Sequence, residues 1–197
     1  MTTGKQRGGR PRDSRIDHSV LEATRTLLAR HGYTGLTVDA VAAAAGVGKP
    51  AIYRRFPSKA ALVFAAVVHP PEFAEPPDHG SLRADLRAMV HEVYRVLSSG
   101  PTREVGPHIM AEVATNPELS ERFRDLILSA ELDQVGIILD RATARGELTT
   151  RPDPLILNCL LSGPQFYAIF GFHLELEAAQ LDSIADTVAA GVLACAS

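Results

Sequence analysis

The sequence predicts an all-α protein of about nine helices, with a small N-terminal helical domain ahead of a larger one. Three observations carry this. Apolar residues recur at helical spacing through nearly the whole chain, no alternating strand pattern of any length occurs, and the breaks between periodic stretches fall at Gly or Pro, as at Gly32, Gly46, Gly100–Pro101, Asn116–Pro117, Gly146 and Pro152. With 46% hydrophobic and 22% charged residues over 197 positions, the chain can bury a core and is not a disordered polyelectrolyte.

Residues 1–13 are Gly/Arg-rich and aperiodic, and read as a disordered basic arm. From Ser14, Ile16, Val20, Ala23, Leu27 and Leu28 share one helix face, and Gly32 is placed to end that helix with a left-handed residue. Thr37 is a good N-cap for a short helix from Val38 to Ala45, which Gly46 ends. A third helix runs from Lys49 to Phe56, with Pro50 tolerated in its first turn. Ser58 caps a fourth, nearly all-apolar helix through Val68. Four prolines between His69 and Gly80 forbid a regular helix and mark the linker, giving domains of 14–68 and 81–197. The second domain divides into helices near 81–99, 101–115, 117–146, 153–174 and 177–195 at Gly100–Pro101, Asn116–Pro117, Gly146 and Pro152.

Charge separates the same two parts. Residues 1–68 carry eleven Lys+Arg against four Asp+Glu, a balance of +7, while residues 69–197 carry nine against nineteen, or −10. A basic head suits a polyanion. The stretch 37–56, TVDAVAAAAGVGKPAIYRRF, has helix-turn-helix spacing. Ala42 is small enough for a steep helix crossing, Gly46 supplies a positive φ, and Val38, Val41, Val47 and Ile52 form a core beneath. Lys49, Tyr53 and Arg54 are left facing outward on the helix that would enter a major groove.

Residues 14–68 resemble the DNA-binding domain of the TetR/AcrR family of transcriptional regulators, through LLARHGYTGLTVDAVAAAAGV and IYRRFPSKAAL. The resemblance implies that Thr37 meets a phosphate as well as capping its helix. It implies that Lys49, Pro50 and Ala51 lie at the base-facing start of the recognition helix, that Tyr53 touches phosphate or base, and that Lys59 pairs with a phosphate. Gly48 departs from the Ser or Thr of many relatives and offers no hydroxyl. Neighbouring side chains on a helix diverge by about 100°, so Arg54 and Arg55 cannot both face the groove; Arg54 is assigned to the DNA backbone and Arg55 is left open. Arg10 and Arg12, in the arm's GRPR, either enter a narrow minor groove or add non-specific attraction, and both readings stand.

The resemblance further implies a double-stranded DNA operator, a homodimer through a four-helix bundle of the last two helices, and a small apolar effector in the C-terminal domain. The candidate pocket residues are Met89, His108, Met110, Phe123, Asn158, Gln165, Phe166, Tyr167 and Phe170. Plain core is the competing reading for the aromatic and Met residues, a dimer-interface hydrogen bond for Asn158 and Gln165, and a surface position for His108. Leu62, Val63 and Phe64 are expected to couple the two domains.

The expected function is a ligand-released repressor on a palindromic operator. Two other classes compete with it. A constitutive architectural DNA-binding protein would ignore small molecules and bind many sequences alike. An all-helical enzyme with a DNA-binding head would need chemistry that the sequence does not supply: no Ser/His/Asp set, no paired carboxylates in an apolar setting, and a GVGK without Walker A spacing. No catalytic residue, cofactor or metal is expected, His108 with Glu104 or Glu112 being the only local metal candidate. Cys159 and Cys195 lack zinc spacing and form no disulfide scaffold, and no apolar run reaches the roughly 18 residues of a membrane span. No apolar stretch follows the arm's cations as in a signal peptide, so a cytoplasmic protein is expected.

Overall fold

The computed structural model describes residues 12–67 and 75–195, and among these there are ten α-helices and no strand. The chain forms two compact units, Met1–Val68 and His69–Ser197, each considered by itself.

In the N-terminal unit, α1 spans Arg12–Gly35, so the helix begins two residues inside the expected arm. Arg10 lies outside the described residues. The buried stripe of α1 is Val20, Thr24 and Leu28, at i, i+4 and i+8. Thr24 is tolerated there because its hydroxyl donates to the Val20 carbonyl at 2.7 Å. Gly32 has the expected positive φ of 65°, but its ψ of 178° lies in an extended region open essentially to glycine alone, and it kinks α1. One helical turn then follows, and Leu36 enters the core.

Helix α2, Val38–Ala45, packs on α1, as does α4, Lys59–Val67. Ser58 caps α4 by accepting from the Ala61 N–H at 3.0 Å, and Val68 lies outside the described residues. Arg25 of α1 donates to the Ala66 carbonyl at 2.7 Å and ties down the end of α4. Leu62, Val63 and Phe64 are buried.

The C-terminal unit contains α5 (Leu82–Ser98), α6 (Gly100–Thr115), α7 (Pro117–Phe123), α8 (Ser129–Ala144), α9 (Pro154–Phe166) and α10 (Ala178–Cys195). Helix α5 buries Leu82, Leu86, Met89 and Val90 against α8, α9 and α10 in one core. The expected 117–146 helix is instead two helices joined by a π turn at Arg124–Leu128, which raises the count from nine to ten. The expected 153–174 helix ends as α9 at Phe166 and passes into a second π turn, Tyr167–Gly171.

The described part of the expected linker is held by the core of this unit. Arg141 donates to the Pro76 carbonyl at 2.6 Å and pairs with Glu75 at 2.7 Å. Arg145 pairs with Asp78, with Glu147 and with the buried Asp85, which also accepts the His79 N–H at 2.8 Å. A buried carboxylate is tolerated only when compensated in this way.

Candidate functional site

The helix-turn-helix is built from backbone rules. Thr37 accepts the Ala40 N–H at 3.2 Å and caps α2. This uses a lone pair, so the hydroxyl proton can still be donated outward. Gly46, with φ 65° and ψ 32°, turns the chain, and the Val47 N–H closes on the Ala42 carbonyl at 3.0 Å. Helix α3, Lys49–Tyr53, follows with Gly48 at its N-cap and no side-chain cap. Val38, Val41, Ala42 and Ile52 are buried at the crossing, with Val47 only half-buried.

This core decides which side chains point out. Lys49, Pro50, Tyr53 and Arg54 are exposed, Tyr53 to 46%, while Ala51 is half-buried. Lys49 reaches back to Asp39 at 2.6 Å, and that hydrogen bond holds its ammonium above the ordinary lysine range. Arg55 turns inward, pairing with Asp17 of α1 at 2.5 Å and donating to the Ala51 carbonyl at 3.1 Å. Lys59 begins α4 with its ammonium 4.4 Å from the Tyr33 ring centre, and burial lowers its pKa. Arg12 lies in the first turn of α1.

The candidates in the C-terminal unit fall into three groups. Met89, Asn158 and Gln165 are buried; Met110, Phe123, Phe166 and Phe170 are half-buried; His108 and Tyr167 are exposed. Phe166 and Phe170 meet edge to face at 5.2 Å. Phe170 also fills the space that a side chain at Gly106 would need. Tyr167 faces the exposed Phe172 at 4.7 Å. Asn158 donates to Glu131 at 2.8 Å and Gln165 to the Leu161 carbonyl at 2.9 Å. Both are buried within the single chain, so neither is a residue of an exposed interface.

Two residues beside these were not singled out from sequence. Ser162 is buried between Asn158 and Gln165 on the same α9 face. Glu131 occupies the apolar stripe of Ile127 and Val135, i+4 from one and i−4 from the other, and that substitution in the pattern is a readable signal. Burial raises the Glu131 pKa against the lowering effect of the Asn158 hydrogen bond. Among the described residues no group of His, Cys, Asp and Glu could hold a metal ion, and no helix is long and apolar enough to cross a membrane.

Both units match family models, the N-terminal one as bacterial regulatory proteins of the TetR family over residues 20–66, and the C-terminal one as a tetracyclin repressor-like C-terminal domain over 76–188. The chain belongs to the TetR family. It is a DNA-binding transcriptional regulator with a helix-turn-helix head. Similar proteins include the uncharacterized HTH-type transcriptional regulator Rv1556 of Mycobacterium tuberculosis, 37% identical over 71% of this chain and 67% of the relative. The DNA-binding transcriptional repressor TetR of Mycobacteroides abscessus is 32% identical over 71% of this chain and 74% of its own. The crystal structure of the TetR family transcription regulator SCO0332 superposes with a TM-score of 0.73, at 24% identity, over 90% of this chain and 98% of that one, which establishes a shared fold.

Proposed function

We propose that this TetR-family protein is a repressor that binds a palindromic operator as a homodimer and is released by a small molecule with an apolar body. The observation that carries the DNA end is the outward ridge of Lys49, Pro50, Tyr53 and Arg54 over a buried Ile52. Thr37 and Lys59 supply phosphate contacts at the starts of α2 and α4, and Ala51 lies close to the bases. Arg10 and Arg12 strengthen binding electrostatically. On the duplex, Lys49 exchanges Asp39 for a phosphate or a base edge.

The dimer is supported by the outward face of α9. Leu155, Ile156 and Leu160 there, and Tyr167 at the start of the π turn that follows, are all more than 40% exposed, an apolar surface that a second copy of α9 and α10 would cover. Paired heads about 34–36 Å apart read successive major grooves. Moving operator occupancy from 99:1 to 1:99 requires the effector to prefer the released state by about 5.5 kcal/mol.

Two measurements test this reading. Selection from a random duplex pool is expected to return a palindromic site, and Tyr53→Ala is expected to lose that site while remaining a dimer. Normal binding by the variant sinks the recognition-helix assignment, and enrichment of unrelated sequences favours an architectural protein. Native mass spectrometry of protein purified from its own host is expected to show a dimer carrying additional small-molecule mass. A selected-site affinity that no host extract changes would remove effector release.

A further inference from the structure

The buried polar atoms on one face of α9 are unbalanced in kind. Asn158, Ser162 and Gln165 stand at i, i+4 and i+7 on one face of α9 and are 4%, 7% and 0% exposed. Asn158 Oδ1, Ser162 Oγ and Gln165 Oε1 are buried without a hydrogen-bond partner. The amide donors, by contrast, are engaged: Asn158 Nδ2 with the Glu131 carboxylate and Gln165 Nε2 with the Leu161 carbonyl. These partners also fix the orientation of both amides, because turning either one over would set an oxygen against an oxygen. Beside them lies Glu131, a mostly buried carboxylate in the first turn of α8.

What the cluster offers is therefore two amide carbonyls, a hydroxyl and a carboxylate. Keeping three unmatched atoms within eight residues of one helix costs stability, and the cost is out of place beside a core made of Leu, Ile, Val, Ala and Met. A π turn ends just before α8, and another begins just after Gln165 and Phe166. Such turns are rare and recur at functional sites.

We propose that Glu131, Asn158, Ser162 and Gln165 form the head-group site of the effector, and that the effector is an amphiphile with a primary ammonium head on an apolar body. This rests on the effector-release reading above and specifies its ligand. An ammonium brings three donors and one positive charge. Its donors satisfy the Asn158 oxygen while its charge neutralises Glu131, the two being joined at 2.8 Å, and Ser162 and Gln165, one and two turns along α9, accept from its remaining donors directly or through a bridging water. A carboxylate or phosphate head brings negative charge and no donor to a cluster of acceptors. A hydroxyl head brings a single donor. The half-buried Phe166 and Phe170 pair, one and five residues beyond Gln165, is the adjoining surface for the apolar body.

The test uses the full chain with decylamine, decanol and decanoate, which share an alkyl chain and differ in the head. By calorimetry at neutral pH, decylamine is expected to bind about tenfold more tightly than decanol, with decanoate weakest. Glu131→Gln should erase the decylamine preference and leave affinity for the selected DNA site unchanged. Gln165→Leu removes an unmatched acceptor at similar volume, so it should raise the melting temperature of the ligand-free protein and weaken decylamine binding. It keeps the test valid if Glu131→Gln fails to fold. Equal binding of the three heads, no binding by any of them, or decylamine binding untouched by both variants overturns the proposal. Release of the DNA by decanol or decanoate with decylamine inert overturns the ammonium head alone and leaves effector release standing.

Discussion

Arg54 and Arg55 are adjacent, yet the first is exposed at the end of α3 and the second is bound inward to Asp17. The roughly 100° between neighbours on a helix makes that division unavoidable, and the α1 carboxylate decides which arginine turns in. Lys59 is a second such case. It sits at the first residue of α4, where the helix dipole disfavours a cation, so its removal should not unfold the head. Lys59→Ala is expected to weaken specific and non-specific DNA alike and to lower the slope of log affinity against log salt by about one. A changed base preference with an unchanged slope would make Lys59 a base reader instead. Glu131 gives a prediction in pH. Burial holds its carboxyl above the ordinary range, so between the ordinary and the raised pKa the native chain keeps a proton that the unfolded chain has released. Stability from this group is present at lower pH and is lost as pH rises through the raised pKa. Thermal melts of Glu131→Gln should lack that loss, and parallel pH profiles of the variant and the wild type would refute it.

At the scale of elements, the two π turns change what a helical period means. The 117–144 path stays helical in φ and ψ on both sides of Arg124–Leu128, but the wider turn shifts the phase of α8 relative to α7. A regular 3.6-residue period read across 117–146 therefore places α8 residues only approximately. The second π turn swings Phe170 onto Gly106 of α6, where a Cβ would lie 2.4 Å from the ring. Gly106→Ala is expected to cost about 1–3 kcal/mol by overpacking, measured as a lowered urea midpoint. A midpoint equal to that of the wild type would mean that the ring moves aside at no cost. The cap residues Thr37, Ser58, Ser81, Asn116 and Asp153 each accept a backbone N–H at their helix start, as their residue types lead one to expect.

For the whole molecule, the consequential surface is the apolar face of α9. Leu160 is 51% exposed and lies near the middle of it. A charge there should be harmless to the single chain and costly to a dimer. Leu160→Glu is accordingly expected to raise the dimer dissociation constant by about a hundredfold, read by sedimentation, with helix content unchanged. Loss of DNA affinity should accompany it, because one head covers half a palindrome. An unaltered dimer would place the interface elsewhere. Away from this face, Arg83 and Arg87 of α5 pair with Asp186 of α10 and His91 with Asp182, so the α5–α10 seam is rimmed by charge over its apolar core.

How far the sequence reached differs between the two ends of the chain. The head was legible because its devices are local: a capping Thr37, a positive-φ Gly46 and a small Ala42 each act within a few residues, so spacing alone carries their meaning. The starts of α2, α4, α5, α7 and α9 were legible for the same reason. The inward turn of Arg55, the docking of residues 75–80 on Arg141 and Arg145, and the meeting of Glu131 with Asn158 all join partners far apart in the chain. Local propensity says nothing of which distant acceptor a buried donor will find; only packing, which excludes water and forces each polar atom to a partner or leaves it without one, decides that.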